Sequence, residues 1–175
     1  MAAPKILVVY YSRSGTTRRV ASALSATLNG SVEEIVDVRG RNGLFGYWRS
    51  VSEARRKQPA DILPVKHDPS KFDLVVIGTP VWAWSVSSPV RAYLTANKDR
   101  LPDVAFFCTL GANGSDAAFA QMQAIIGKHP RATCAITDGE LAKGKEGPQL
   151  TAFAMALQVP PPLAKSATMA NDQAA

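Results

Sequence analysis

The sequence predicts a doubly wound α/β domain, a parallel sheet covered by helices on both faces. Three observations carry that expectation. Apolar strand-like runs alternate with helix-compatible segments along the chain, the pattern of crossover-connected parallel strands. The first apolar run breaks into a hydroxyl-rich turn that opens directly into a helical segment. With 175 residues and 46% hydrophobic content, the chain can bury one good core and has little room for a second. Strands are predicted near 4–11, 32–38, 73–78, 103–109 and 132–137, and helices near 16–28, 88–98, 115–127 and 147–158. Five strands joined by crossover helices make a three-layer sandwich, which binds ligands at the carboxyl ends of its central strands.

The first strand, Ile6-Leu7-Val8-Val9-Tyr10-Tyr11, runs into Ser12-Arg13-Ser14-Gly15-Thr16-Thr17. Free N–H groups and the positive end of the following helix face outward from such a turn, and short hydroxyl side chains reach the same point. Gly15 lets the backbone approach closely. The parts suit a phosphate that stays bound: the Lys-Ser/Thr pair of a nucleotide-hydrolysing loop is replaced by Thr16-Thr17. The same residue types would also serve an ordinary capped strand-to-helix turn.

Residues 1–66 hold 11 Lys and Arg against 5 Asp and Glu, whereas residues 67–175 hold 9 of each. The whole +6 excess therefore shares a half with the phosphate turn, which suits an anionic ligand or an acidic partner, or simply a solvated basic face. No nucleic-acid module is legible, so a nucleic-acid partner is not expected. The segment 41–61 carries Leu44, Tyr47, Trp48 and Val51 at helical spacing beside Arg49, Arg55, Arg56 and Lys57. It fits a second crossover helix, a lid beside the ligand, or a surface pairing two copies of the chain into a homodimer.

Strand three ends Gly78-Thr79-Pro80-Val81-Trp82-Ala83-Trp84, and Ser87-Ser88-Pro89 then offers an N-cap with Pro at the start of a helix. Strand four ends Thr109-Leu110-Gly111-Ala112-Asn113-Gly114, and Gly114-Ser115-Asp116 caps the next helix. Together with the phosphate turn, these loops suit a planar aromatic ligand with a phosphate tail. The turn anchors the phosphate, the Trp loop offers a stacking face, and the glycine-containing loop presents backbone groups to a polar ring edge. Singly, Trp82 or Trp84 could equally be plain packing. After Val159 the sequence turns to Pro160-Pro161-Pro162 and small polar residues, so a domain over 1–159 and a poorly ordered tail over 160–175 are expected.

Other chemistries lack their residues. Cys108 and Cys134 have no metal-ligand or CxxC spacing and sit in apolar runs, and neither His67 nor His129 has a ligand partner, so no metal is expected. A dinucleotide fingerprint is missing from Ser12-Arg13-Ser14-Gly15. A phosphoreceiver would need acidic residues where Tyr10-Tyr11-Ser12 stand. A small tyrosine phosphatase would need Arg where Gly114 stands, counted from Cys108. No apolar run approaches membrane-spanning length or a secretory core, which makes a cytoplasmic protein the expectation.

Over residues 4–158 the chain resembles the flavodoxin family, and more closely its flavodoxin-like FMN oxidoreductases. Ser12 to Thr17 fits the family's Ser/Thr-x-Ser/Thr-Gly-x-Thr phosphate motif, Gly78 to Trp82 resembles the loop covering the isoalloxazine, and Thr109 to Gly114 resembles the loop at its pyrimidine edge. The resemblance implies a sheet of order 2-1-3-4-5 and non-covalent FMN with redox chemistry at flavin N5. It implies cofactor contacts from Ser12, Arg13, Ser14, Gly15, Thr16, Thr17, Thr79, Pro80, Val81, Trp82, Ala83, Trp84, Thr109, Leu110, Gly111 and Gly114. It assigns no catalytic side chain. The function expected is two-electron transfer from NAD(P)H to a quinone or similar acceptor. The alternative is a one-electron carrier fed by a reductase and serving a protein acceptor. A third is a module that holds FMN without turnover. Carriers of this family tend to be acidic, unlike a chain of pI ≈ 9.5. They also favour glycine, which makes a peptide flip beside N5 inexpensive, where this chain has Val81 to Val86, bulky residues expected to resist the flipped geometry.

Overall fold

A computed structural model describes residues 3–38, 52 and 59–158. The expected tail at 160–175 and nearly all of the basic aromatic segment at 41–61 lie outside the described residues. The elements run β1 (Ile6–Tyr10), α1 (Thr16–Leu28), β2 (Ser31–Glu34), β3 (Leu74–Trp82), β4 (Ser85–Val86), α2 (Ser88–Asn97), β5 (Asp103–Leu110), α3 (Ser115–Ile126), β6 (Thr133–Thr137), α4 (Asp138–Ala142) and α5 (Gly147–Gln158).

Five strands pair in parallel in the order β2-β1-β3-β5-β6, and the two-residue β4 folds back antiparallel on the end of β3. Numbered among the parallel strands alone, this is the expected 2-1-3-4-5. The order reverses between β1 and β3, which opens a crevice at their carboxyl ends.

Strand periodicity sorts the core into two layers. Ile6, Val8 and Tyr10 face Val20 and Leu24 of α1 and Phe153 and Leu157 of α5. Leu7, Val9 and Tyr11 face Val90 and Leu94 of α2 and Met122 of α3. Both faces of β1 are buried throughout, which is why its sequence reads as an unbroken apolar run. Leu24 has no exposed surface, so truncation to Ala would cost about 2–5 kcal/mol. Gly78 sits in mid-strand because a Cβ there would lie 2.0 Å from Phe107 Cζ. The Phe107 ring occupies the space a side chain would need.

Four features depart from the expected elements. β2 stops at Glu34 because its partner stops at Tyr10; the chain then bridges antiparallel from Asp37 to Ile62. β3 continues past Gly78 to Trp82 along β5. The ladder to β1 ends at Gly78, so Pro80, with no N–H to donate, removes no bond from it. The extra turn of helix at Asp138–Ala142 starts with a reciprocal capping box between Thr137 and Glu140.

The fourth departure is the turn joining β3 to β4. Val81 pairs with Val86 and Trp82 with Ser85, leaving Ala83 and Trp84 as a two-residue loop. Their φ values are 49° and 56°, the left-handed pair a type I′ hairpin requires. Positive φ is thus reached in this turn without glycine. Hairpin pairing and packing hold both residues there against a cost of about 1–2 kcal/mol per residue.

Candidate functional site

The turn after β1 is built as the sequence suggests. Gly15 is the N-cap of α1 at φ 93°, a conformation glycine takes without strain. Having no side chain, it offers no oxygen to the first-turn N–H groups, which are left for an outside acceptor. Ser12 Oγ accepts from Gly15 N–H at 3.1 Å and shapes the turn. The Ser14 and Thr16 hydroxyls lie 3.2 Å apart on the exposed side. The Thr17 hydroxyl points the other way, 2.8 Å from the Thr109 hydroxyl at the end of β5.

A cavity of about 580 Å³ opens at the carboxyl edge of the sheet, within the range of small-ligand sites. The phosphate turn contributes Arg13, Ser14, Gly15, Thr16 and Thr17; the end of β3 contributes Pro80, Val81 and Trp82; the end of β5 contributes Thr109, Leu110 and Gly111. All three predicted loops meet around this one space. Trp82 is set by an edge-on contact with Tyr11, ring centroids 5.9 Å apart at 84°. A residue beside the anion turn thus orients the aromatic wall.

Five predicted residues lie outside the cavity lining. Ser12 shapes the turn from behind. Thr79 is fully buried, with its hydroxyl accepting from Ser87 N–H at 3.1 Å, and ties β3 to the start of α2. Ala83 and Trp84 form the hairpin tip, with Trp84 65% exposed. Gly114, φ 109°, lies beneath that tip: a Cβ there would come within 2.9 Å of Trp84 Cδ1. The loops after β3 and β5 are packed against each other through that pair.

Four lining residues were not predicted: Arg19, Asp138, Leu141 and Ala142. The last three belong to α4, whose Thr137-x-x-Glu140 signature is legible in the sequence. Backbone N–H donation from Thr137 holds the Glu140 carboxyl below the usual range. Arg19 bonds the Leu141 carbonyl at 3.2 Å and pairs with Glu146, so α1 steadies α4 beside the cavity. On the outer side Arg18 pairs with Glu34 at 2.6 Å. Arg13 and Arg19 both line the cavity, Arg19 with its charge paired to Glu146, and Asp138 is a carboxylate on the same lining.

Among the described residues, no cluster of His, Cys, Asp or Glu is arranged to hold a metal ion. No helix among them is long and apolar enough to cross a membrane.

The strand order, the two helical layers and the hydroxyl-rich turn at the switch between β1 and β3 define a flavodoxin-like α/β protein. The chain belongs to the flavodoxin family: the family model described as Flavodoxin matches residues 5–148. Among solved structures, it is similar to a flavoprotein in complex with FMN from Lactobacillus acidophilus NCFM. That match has 23% identity and a TM-score of 0.66, covering 81% of this chain and 98% of the other. An NADH:FMN oxidoreductase in its apo form shares the fold at 16% identity and TM-score 0.52, covering 87% of this chain and 86% of the other. So does two-electron reduced Megasphaera elsdenii flavodoxin, at 16% identity and TM-score 0.52, covering 87% of this chain and 98% of the other. A search of curated proteins found no match.

Proposed function

We propose that this protein binds FMN non-covalently and uses it as a two-electron oxidoreductase, taking hydride from NAD(P)H and reducing a quinone or similar acceptor. The observation that carries the reading is the convergence of three loops on one cavity. The Gly15 turn presents N–H groups and the Ser14 and Thr16 hydroxyls to a terminal phosphate. Trp82, set by Tyr11, supplies a stacking wall. Thr109 to Gly111 offer backbone polar groups to a ring edge, and Arg13 on the lining favours an anionic tail. FMN, when bound, supplies reversible uptake of electrons and a proton; the chain's own residues bind it, orient it and leave one side open to a second planar molecule.

The preference for paired electrons rests on Ala83. In a one-electron carrier, a peptide beside the ring flips to accept a new N–H. Flipping the central peptide of a type I′ turn gives a type II′ turn, whose first central residue keeps positive φ at an extended ψ suited to glycine. Ala83 has a Cβ and opposes that flip. The aromatic-free loop from Thr109 to Ser115 leaves space for a nicotinamide or quinone to stack. The one-electron carrier is the competing reading.

The test is anaerobic titration of the FMN-loaded protein with NADH and with NADPH, followed by addition of a quinone. Bleaching of the flavin by a pyridine nucleotide and reoxidation by the quinone are expected. A flavin inert to both nucleotides but reduced by a flavodoxin reductase would favour the carrier.

A further inference from the structure

The turn formed by Ala83 and Trp84 is the least self-sufficient part of the hairpin that brings Val81 and Trp82 to the cavity. A two-residue type I′ loop ordinarily holds Asn-Gly or a similar pair; here both positive-φ residues carry side chains. Something outside the hairpin must hold it.

Gln121, on the face of α3 turned to β4, meets the hairpin with both ends of its amide. Its Nε2 donates to the Trp84 carbonyl at 3.1 Å. Its Oε1 accepts from the Ser85 hydroxyl at 2.7 Å and from Arg91 Nη2 at 2.6 Å. Arg91 Nη2 also reaches Ser85 Oγ at 3.3 Å. Arg91 is only 9% exposed, and its buried Nε has no partner among the described residues. No carboxylate is paired with it among the described residues.

That buried cation fixes which way the Gln121 amide points. Rotating the amide by half a turn would set an NH2 group against the guanidinium and an oxygen against the Trp84 carbonyl, two repulsions in place of two attractions. The amide is therefore held with its N–H on the Trp84 carbonyl and its oxygen on Arg91 and Ser85. Ser85 pairs directly across the strand from Trp82, which lines the cavity. The hold on Ser85 and Trp84 is thus one cross-strand step from the proposed stacking wall.

We infer that Gln121, oriented by the buried Arg91, is a positioning residue that latches the Ala83–Trp84 turn and so sets the aromatic wall of the cavity. The latch itself does not depend on FMN; its effect on the cofactor rests on the function proposed above.

The experiment measures amide hydrogen exchange of the cofactor-free protein in wild type, Gln121→Leu, Gln121→Glu and Gln121→Leu with Ala83→Asn. Gln121→Glu keeps the oxygen facing Arg91 but has no N–H for the Trp84 carbonyl. Asn tolerates the left-handed conformation better than Ala, so it lowers the need for a latch.

Both single variants are expected to raise exchange at the hairpin amides, by about tenfold for one lost hydrogen bond, while β1 and β5 keep their protection. Ala83→Asn should restore most of the loss. FMN affinity should fall and recover in parallel. Hairpin exchange unchanged in Gln121→Glu, protection lost uniformly across the sheet, or no rescue by Ala83→Asn would each overturn the latch. Wild-type protein that fails to bind FMN would overturn the cofactor reading instead, leaving the exchange result to stand on its own.

Discussion

The hydroxyls of Thr17 and Thr109 lie 2.8 Å apart, each on a residue no more than 3% exposed. This contact joins the first turn of α1 to the end of β5 across 92 residues of sequence. It fixes the spacing between the anion turn and the loop at the opposite wall of the cavity. Thr17 belongs to the phosphate motif by sequence, yet its hydroxyl is spent on architecture, leaving Ser14 and Thr16 as the outward pair.

The Thr17–Thr109 contact should behave as a coupled pair. Thr17→Val leaves the Thr109 hydroxyl buried without its partner and should destabilise the fold by about 1–3 kcal/mol. Replacing both by Val should cost less than the two single changes together. Denaturant unfolding of the four-member cycle measures this; additive costs would mean the two hydroxyls act independently.

The two buried cysteines contribute to the loss of stability at alkaline pH. Burial pushes the Cys108 thiol up to about 12 and the Cys134 thiol up to about 11, from an ordinary value of 9.0. Between those limits the unfolded chain binds fewer protons than the folded one, so stability is present in full below about pH 9 and falls as pH rises beyond it. Unfolding at pH 8 and pH 10 should show a drop that shrinks in a Cys108→Ala, Cys134→Ala variant. At pH 8 iodoacetamide should label neither thiol until denaturant is added. Rapid labelling of the native protein would contradict this placement.

The turn at Ala83 separates the two redox readings. Ala83→Gly removes the Cβ that opposes the type II′ geometry, so stepwise photoreduction should yield more half-reduced flavin than in wild type. A large, stable half-reduced signal in the wild type itself would favour the one-electron carrier.

Legibility followed the periodicity of burial. β1 was readable because both its faces are covered, and α1 began where expected because Gly15 ends the preceding turn. The three site loops were readable because each follows an apolar run. The β3–β4 hairpin was not, since Ala83-Trp84 carries none of the residues that announce a type I′ turn. Its conformation comes from tertiary contacts with Gly114 and Gln121. β2 was overextended because Val36 and Val38 read as strand, although the ladder needs a partner that ends at Tyr10. The contribution of α4 to the cavity depends on how its capped turn packs beside α1, which local sequence does not encode.

The central claim is that the Gly15 turn closes on a terminal monophosphate. The direct measurement is equilibrium titration of cofactor-free protein with FMN and with riboflavin, alongside a Ser14→Ala, Thr16→Ala variant. FMN should bind more tightly than riboflavin, and the variant should lose about ten- to a hundredfold in FMN affinity per hydrogen bond to the charged phosphate, with riboflavin binding little changed. Riboflavin bound as tightly as FMN, or a variant that binds FMN like the wild type, would contradict the account.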